Sequence, residues 1–133
     1  MQKTVLSDVK MSGVGLHSGA DIELCIKPAP ANSGITFIRT DVTDQNNQIP
    51  ALWNQVADTQ LCTVIANEDG VSVGTIEHLM SALRGLGIDN AIIELNGAEV
   101  PIMDGSAMPF LEAIEAVGIQ TQEAPRKIIK VLK

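Results

Sequence analysis

Glu77-His78 is the pair best suited to chemistry in this 133-residue chain, because it opens a stretch of helical apolar spacing. In the first turn of a helix, both side chains stand beside unpaired N–H groups and the positive end of the dipole. That field favours an ionised carboxylate and a neutral imidazole. The first can act as a general base and the second can ligate a metal. An ordinary surface helix also starts this way, with a Glu complementing the dipole and an exposed His. The pair is not H-E-x-x-H, and one His does not hold zinc, which takes three protein ligands and a water at a catalytic site. Helical periodicity puts Glu77 on a polar face with Ser81 and Arg84. It puts His78 on a face of small residues, with Ala82 and Gly85, that another layer can approach closely.

The other histidine, His17, lies in Gly13–Gly19 (GVGLHSG). Three glycines in that run permit a positive φ or a close backbone approach. The pattern lacks the second half of a dinucleotide fingerprint, and a tight turn with an exposed His is the plainer alternative. Cys62 falls in an apolar run, Leu61–Ala66, and reads either as a small buried hydrophobe or as a ligand or nucleophile. Cys25 reads as a small hydrophobe. Asp104, in D-G-S just ahead of a helix, is either a turn or capping residue or a second-shell partner for a histidine.

The elements that must position these residues follow from pattern. Val5–Met11 is predicted as a strand running into the glycine loop. Asp21–Lys27 alternates, with Ile22, Leu24 and Ile26 on one face, and is predicted as a half-buried strand. Ile35–Arg39 and Ala91–Leu95 are further strands, Leu61–Ala66 is another, and 41–50 is an exposed polar loop. Thr75–Leu86 is predicted helical, with Leu79, Leu83 and Leu86 in a stripe, Thr75 as N-cap and Gly87 as stop. Ala107–Val117 is a second helix, capped by Ser106 and ended by Gly118. Ile128–Leu132 reads as a strand. The expected fold is α/β (α+β): a two-layer sandwich with a mixed sheet covered on one face by two helices.

Composition bounds the function. The length is that of one domain. Apolar residues are 45% and charged residues 19%, a balance that supports a core rather than disorder. No apolar run reaches a membrane span, and MQKTVLSDVK carries no apolar signal core. Two cysteines make no disulfide framework. The expected setting is therefore the cytoplasm. All 16 acids lie in residues 1–125 with five of the nine bases, while RKIIKVLK (126–133) holds the other four. The acidic bulk, with only two Phe, one Trp and no Tyr, argues against nucleic acid. The basic tail, directly after Ala124-Pro125, reads as the start of something further.

Taken in order, GVGLHSG, KPAPANSGITFIRTD, TQLCT and VGTIEHLMSALRGLGIDNAIIELNGAEVPIMDGSAMPF closely resemble the first half of the zinc-dependent UDP-3-O-acyl-N-acetylglucosamine deacetylases of Gram-negative lipid A biosynthesis. The likeness runs from about Val5 to Leu132 and is weakest over Val42–Ala57. It implies the first of two similar α/β domains (1–125), with 126–133 opening the junction to a second, absent domain, and an active site in the cleft between them. It implies His78 as a zinc ligand and Glu77 as the general base. It implies Leu61, Cys62 and His17 as substrate-side or active-site lining, and Asp104 as a motif residue without a firm role. Two further Zn²⁺ ligands would lie in the missing half. The chain alone is thus expected to be inactive and without tight zinc. Its expected partners are the UDP-sugar substrate and the second domain, with self-association through the uncovered inter-domain face. A stand-alone binding or assembly module with the same fold is the alternative, and a split enzyme a third reading.

Overall fold

The computed structural model describes residues 1–133. Its frame is a five-stranded mixed sheet in the order β2 (Val9–Val14), β3 (Asp21–Pro28), β9 (Ala91–Leu95), β4 (Ile35–Arg39), β5 (Gln48–Pro50). All neighbours are antiparallel except β4 and β9. A two-stranded ribbon pairs β1 (Lys3–Val5) with β10 (Ile119–Thr121), and a three-stranded sheet joins β6 (Val56–Asp58), β7 (Val64–Ala66) and β8 (Ser72–Val73). Helices α1 (Glu77–Leu86) and α2 (Met108–Val117) complete the fold. This is the expected mixed α+β architecture, with two small sheets added.

Period-two alternation builds the core. Ile22, Leu24 and Ile26 are buried, and so are Phe37 and, on β9, Ala91, Ile93 and Leu95. They form one apolar cluster with Leu79, Ala82 and Leu83 of α1 and Phe110 and Ile114 of α2. The opposite face is polar: Lys27 pairs with Glu94 at 2.8 Å. Burial raises the pKa of Cys25 on that face, and the Asp8 and Glu94 charges add to it, so its thiol stays protonated. Gly87 ends α1 as expected, at φ 71° in the left-handed region, its N–H returning to Leu83 and Arg84 carbonyls.

Five expectations need correction. Val5–Met11 is not one strand: the chain bends after Val5, so β1 and β2 serve different sheets. The 41–50 loop ends in β5, whose Ile49 is fully buried, because one apolar residue in a polar run suffices to seat an edge strand. Only Val64–Ala66 of the 61–66 run is extended strand, and Leu61 is 84% exposed. Ile128–Leu132 forms no strand and is exposed throughout, since no neighbouring edge receives it. Thr75 does not cap α1. Ser106, one residue before the nominal N-cap of α2, does accept the Met108 N–H, at 3.1 Å.

Candidate active site

The entry to α1 is set by a turn rather than a cap. Thr75 has φ 54°, a region that β-branched residues seldom enter. Ile76 occupies the N-cap position without a side-chain bond. The Thr75 hydroxyl donates instead to Glu99 Oε1 at 3.0 Å. Gly74, just upstream, pairs with Glu99 in a parallel bridge. Its N–H donates to the Ala98 carbonyl at 2.8 Å, and its own carbonyl accepts the Val100 N–H at 3.0 Å. The backbone on either side of Glu99 and the Glu99 side chain therefore hold the segment that delivers Glu77 and His78.

Glu77 and His78 are both half-buried in the first turn of α1. The Thr63 N–H donates to Glu77 Oε2 at 3.2 Å. That tether leaves Oε1 without a partner in the chain and ties α1 to the loop bearing Leu61 and Cys62. On that loop, a hollow of about 200 Å³ is lined by His17, Asp58, Gln60, Leu61 and Cys62. The Cys62 thiol lies 3.7 Å from where a Cβ on Gly74 would stand, beside the helix entry. Of the site residues expected from sequence, His17, Leu61 and Cys62 share this hollow and Glu77 is tied to its loop through Thr63, with Cys62 on a loop and not in a strand.

Asp104 stands at the start of α2. The Ser106 hydroxyl and N–H donate to its Oδ1 at 2.7 and 2.9 Å. These bonds hold the carboxyl below the usual carboxylate range, and the neighbouring His78 adds to the effect. Asp104 is therefore a turn residue, bonded within its own loop. On α1, Ala82 is buried while Ser81, Arg84 and Gly85 are exposed. The small-residue face is thus partly used inside the domain.

Sequence reasoning missed Glu99. It is only 5% exposed, and it accepts N–H bonds from His17 at 3.0 and 3.2 Å and from Ser18 at 3.1 Å, besides the Thr75 hydroxyl. Burial works to raise its pKa, but these donors outweigh it and hold the carboxyl below its ordinary value. An acid in GAEVP gives no sign of this. The partners are 24 to 82 residues away in sequence. No group of three or more His, Cys, Asp and Glu side chains is gathered to hold a metal ion.

The fold and the groups on it define an α+β domain with Glu77 and His78 at the entry to α1 and His17, Leu61 and Cys62 around a hollow on the loop tied to it. Residues 2–133 match the UDP-3-O-acyl N-acetylglycosamine deacetylase family, and the chain belongs to it. Proteins described as UDP-3-O-acyl-N-acetylglucosamine deacetylase in Shewanella pealeana and Shewanella halifaxensis are each 54% identical over 132 residues, covering 99% of this chain and 43% of their own length. One from Shewanella baltica is 52% identical over 130 residues, covering 98% and 42%. The chain therefore spans less than half the length of these curated relatives. No helix is long and apolar enough to cross a membrane.

Proposed function

We propose that this chain is the N-terminal part of an amidohydrolase that deacetylates UDP-3-O-acyl-N-acetylglucosamine in lipid A synthesis. In this reading it supplies the general base and one ligand of a catalytic zinc. The observation that carries the reading is the half-tethered Glu77: one oxygen is pinned by Thr63, the other is unbonded, and His78 is its neighbour on a rigid helix start. A bound zinc would lower the pKa of a water and polarise the amide carbonyl. Glu77 Oε1 would take the proton as water attacks, while Oε2 keeps the carboxylate aimed. The His78 ring, with no hydrogen bond inside the chain, fits one ligand position. The residues present fit one ligand and not a whole site, so the remaining ligands would come from the second domain. His17, Leu61 and Cys62 line the substrate side.

In the isolated chain, exposed Leu61 and Leu16, the neighbour of His17, leave apolar surface at the hollow. It would be covered by the second domain or by a second copy. Both cysteines are free, which suits a reducing cytoplasm. The test is deacetylation of the UDP-sugar by the natural polypeptide and by residues 1–133 alone. Activity and stoichiometric zinc are expected in the first if it contains the second domain, and in the second neither turnover nor nanomolar zinc affinity. Turnover by residues 1–133 alone would overturn the division of labour.

A further inference from the structure

We infer that Glu99 is a positioning residue for the site: a buried carboxylate that locks the His17 loop to the entry of α1. The inference deepens the deacetylase reading and rests on it only for its effect on turnover. Three independent donors converge on one side chain: the His17 and Ser18 N–H groups from the glycine loop, and the Thr75 hydroxyl from the turn ahead of Glu77. A carboxylate is the side chain that suits this, because it accepts at both oxygens and donates at neither. No cation shares the pocket; the ion pairs of the chain are Lys27–Glu94, Arg39–Asp41 and Arg126–Asp89. The charge is therefore neutralised by dipoles alone, which ties its cost to the loop staying in place.

The loop is fitted to the carboxylate. A Cβ on Gly15 would stand 2.6 Å from Glu99 Oε2 and collide with the Ser18 hydroxyl, so only glycine lets the backbone close over it. The Gly15 carbonyl also accepts the Gly19 N–H at 2.9 Å, which closes the loop on itself. At the other end, Thr75 is held at φ 54°, an unfavourable conformation maintained by its surroundings. Glu99 faces Gly74 in the parallel bridge, which the Ala98 carbonyl and the Val100 N–H on either side of it close. Glu99 itself does not line the hollow that His17 shares with Leu61 and Cys62. It acts on that hollow through His17.

The isosteric variant E99Q tests this, since its amide NH₂ faces a donor where the carboxylate had an acceptor. In the natural full-length polypeptide, amide hydrogen exchange of residues 15–19 is expected to rise about tenfold in E99Q, with strands β3 and β9 unchanged. KM for the UDP-sugar is expected to rise about tenfold while kcat changes less than about threefold. T75V keeps the shape, removes one donor, and is expected to give a smaller change of the same kind. It decides the matter if E99Q loosens the whole domain. Unchanged loop exchange in both variants, or a loosened loop with unchanged KM in an active enzyme, would overturn the inference. Absence of deacetylation by the unaltered full-length protein would sink the functional reading, and the exchange result would still decide the role of Glu99.

Discussion

Two glutamates in this domain show opposite uses of the same group. Glu99 has both oxygens bonded, and Glu77 has one bonded and one free. A group with both oxygens engaged is structural glue, whereas a group held by one oxygen keeps the other for a proton. In the natural full-length protein, T63P, which removes the donating amide without touching Glu77, is expected to lower kcat while leaving zinc content intact, as measured by steady-state kinetics with metal analysis. A second consequence concerns acid. Asp41, Asp89, Glu99 and Asp104 all lie below their ordinary pKa values: Asp41 through the Arg39 fork, Asp89 through Arg126, Glu99 through the loop amides and Thr75 despite its burial, and Asp104 through Ser106. Groups depressed in the fold contribute stability that is complete above the unfolded carboxylate range near about pH 4 and is lost as pH falls through their folded values. Urea midpoints are expected to fall between pH 6 and pH 3, with a shallower fall in E99Q.

At the scale of elements, the two helices bear most of the load that positions the site. Leu83 and Phe110 are fully buried in the shared cluster. L83A is expected to cost about 2–5 kcal/mol and F110A about 3–5 kcal/mol, measured by denaturant unfolding. The α1 stop is fastened by Arg126, whose guanidinium donates to Asp89 and to the Gly87 carbonyl. The start of the basic tail is thus anchored although the rest of it is exposed. R126A is expected to lower Tm slightly at neutral pH and less once Asp89 is protonated, since only the Gly87 carbonyl bond then remains to be lost.

These same elements show what a linear pattern conveys. Asp21–Pro28, Ile35–Arg39, Ala91–Leu95 and both helices were legible because their apolar spacing matches one period over a full element. The bend after Val5, the three-residue β5 and the looping of Leu61–Thr63 were not, because tertiary pairing decides such short segments. Glu77, His78 and His17 could be singled out as candidates by type and local context, while the roles proposed for them come from the family resemblance. Glu99 and the turn role of Thr75 did not, because each exists only through residues far off in sequence.

For the molecule as a whole, the rim formed by His17, Leu61 and Cys62, to whose loop Glu77 is tied, is open, partly apolar and short of metal ligands. A surface of that kind is suited to being covered. Residues 1–133 alone are accordingly expected to self-associate at millimolar concentration, seen by sedimentation equilibrium, and L61D is expected to weaken the association. The acidic bulk and basic tail both belong to a chain that spans 43% of its Shewanella pealeana relative. In the proposed function Glu77 and His78 divide the roles of base and metal ligand. The direct measurement is zinc content and deacetylation rate of the full-length E77A and H78A variants side by side. E77A is expected to keep its zinc and lose about 10²–10⁴-fold in rate, and H78A to lose both. Equal zinc loss in the two variants, or full activity in E77A, would contradict it.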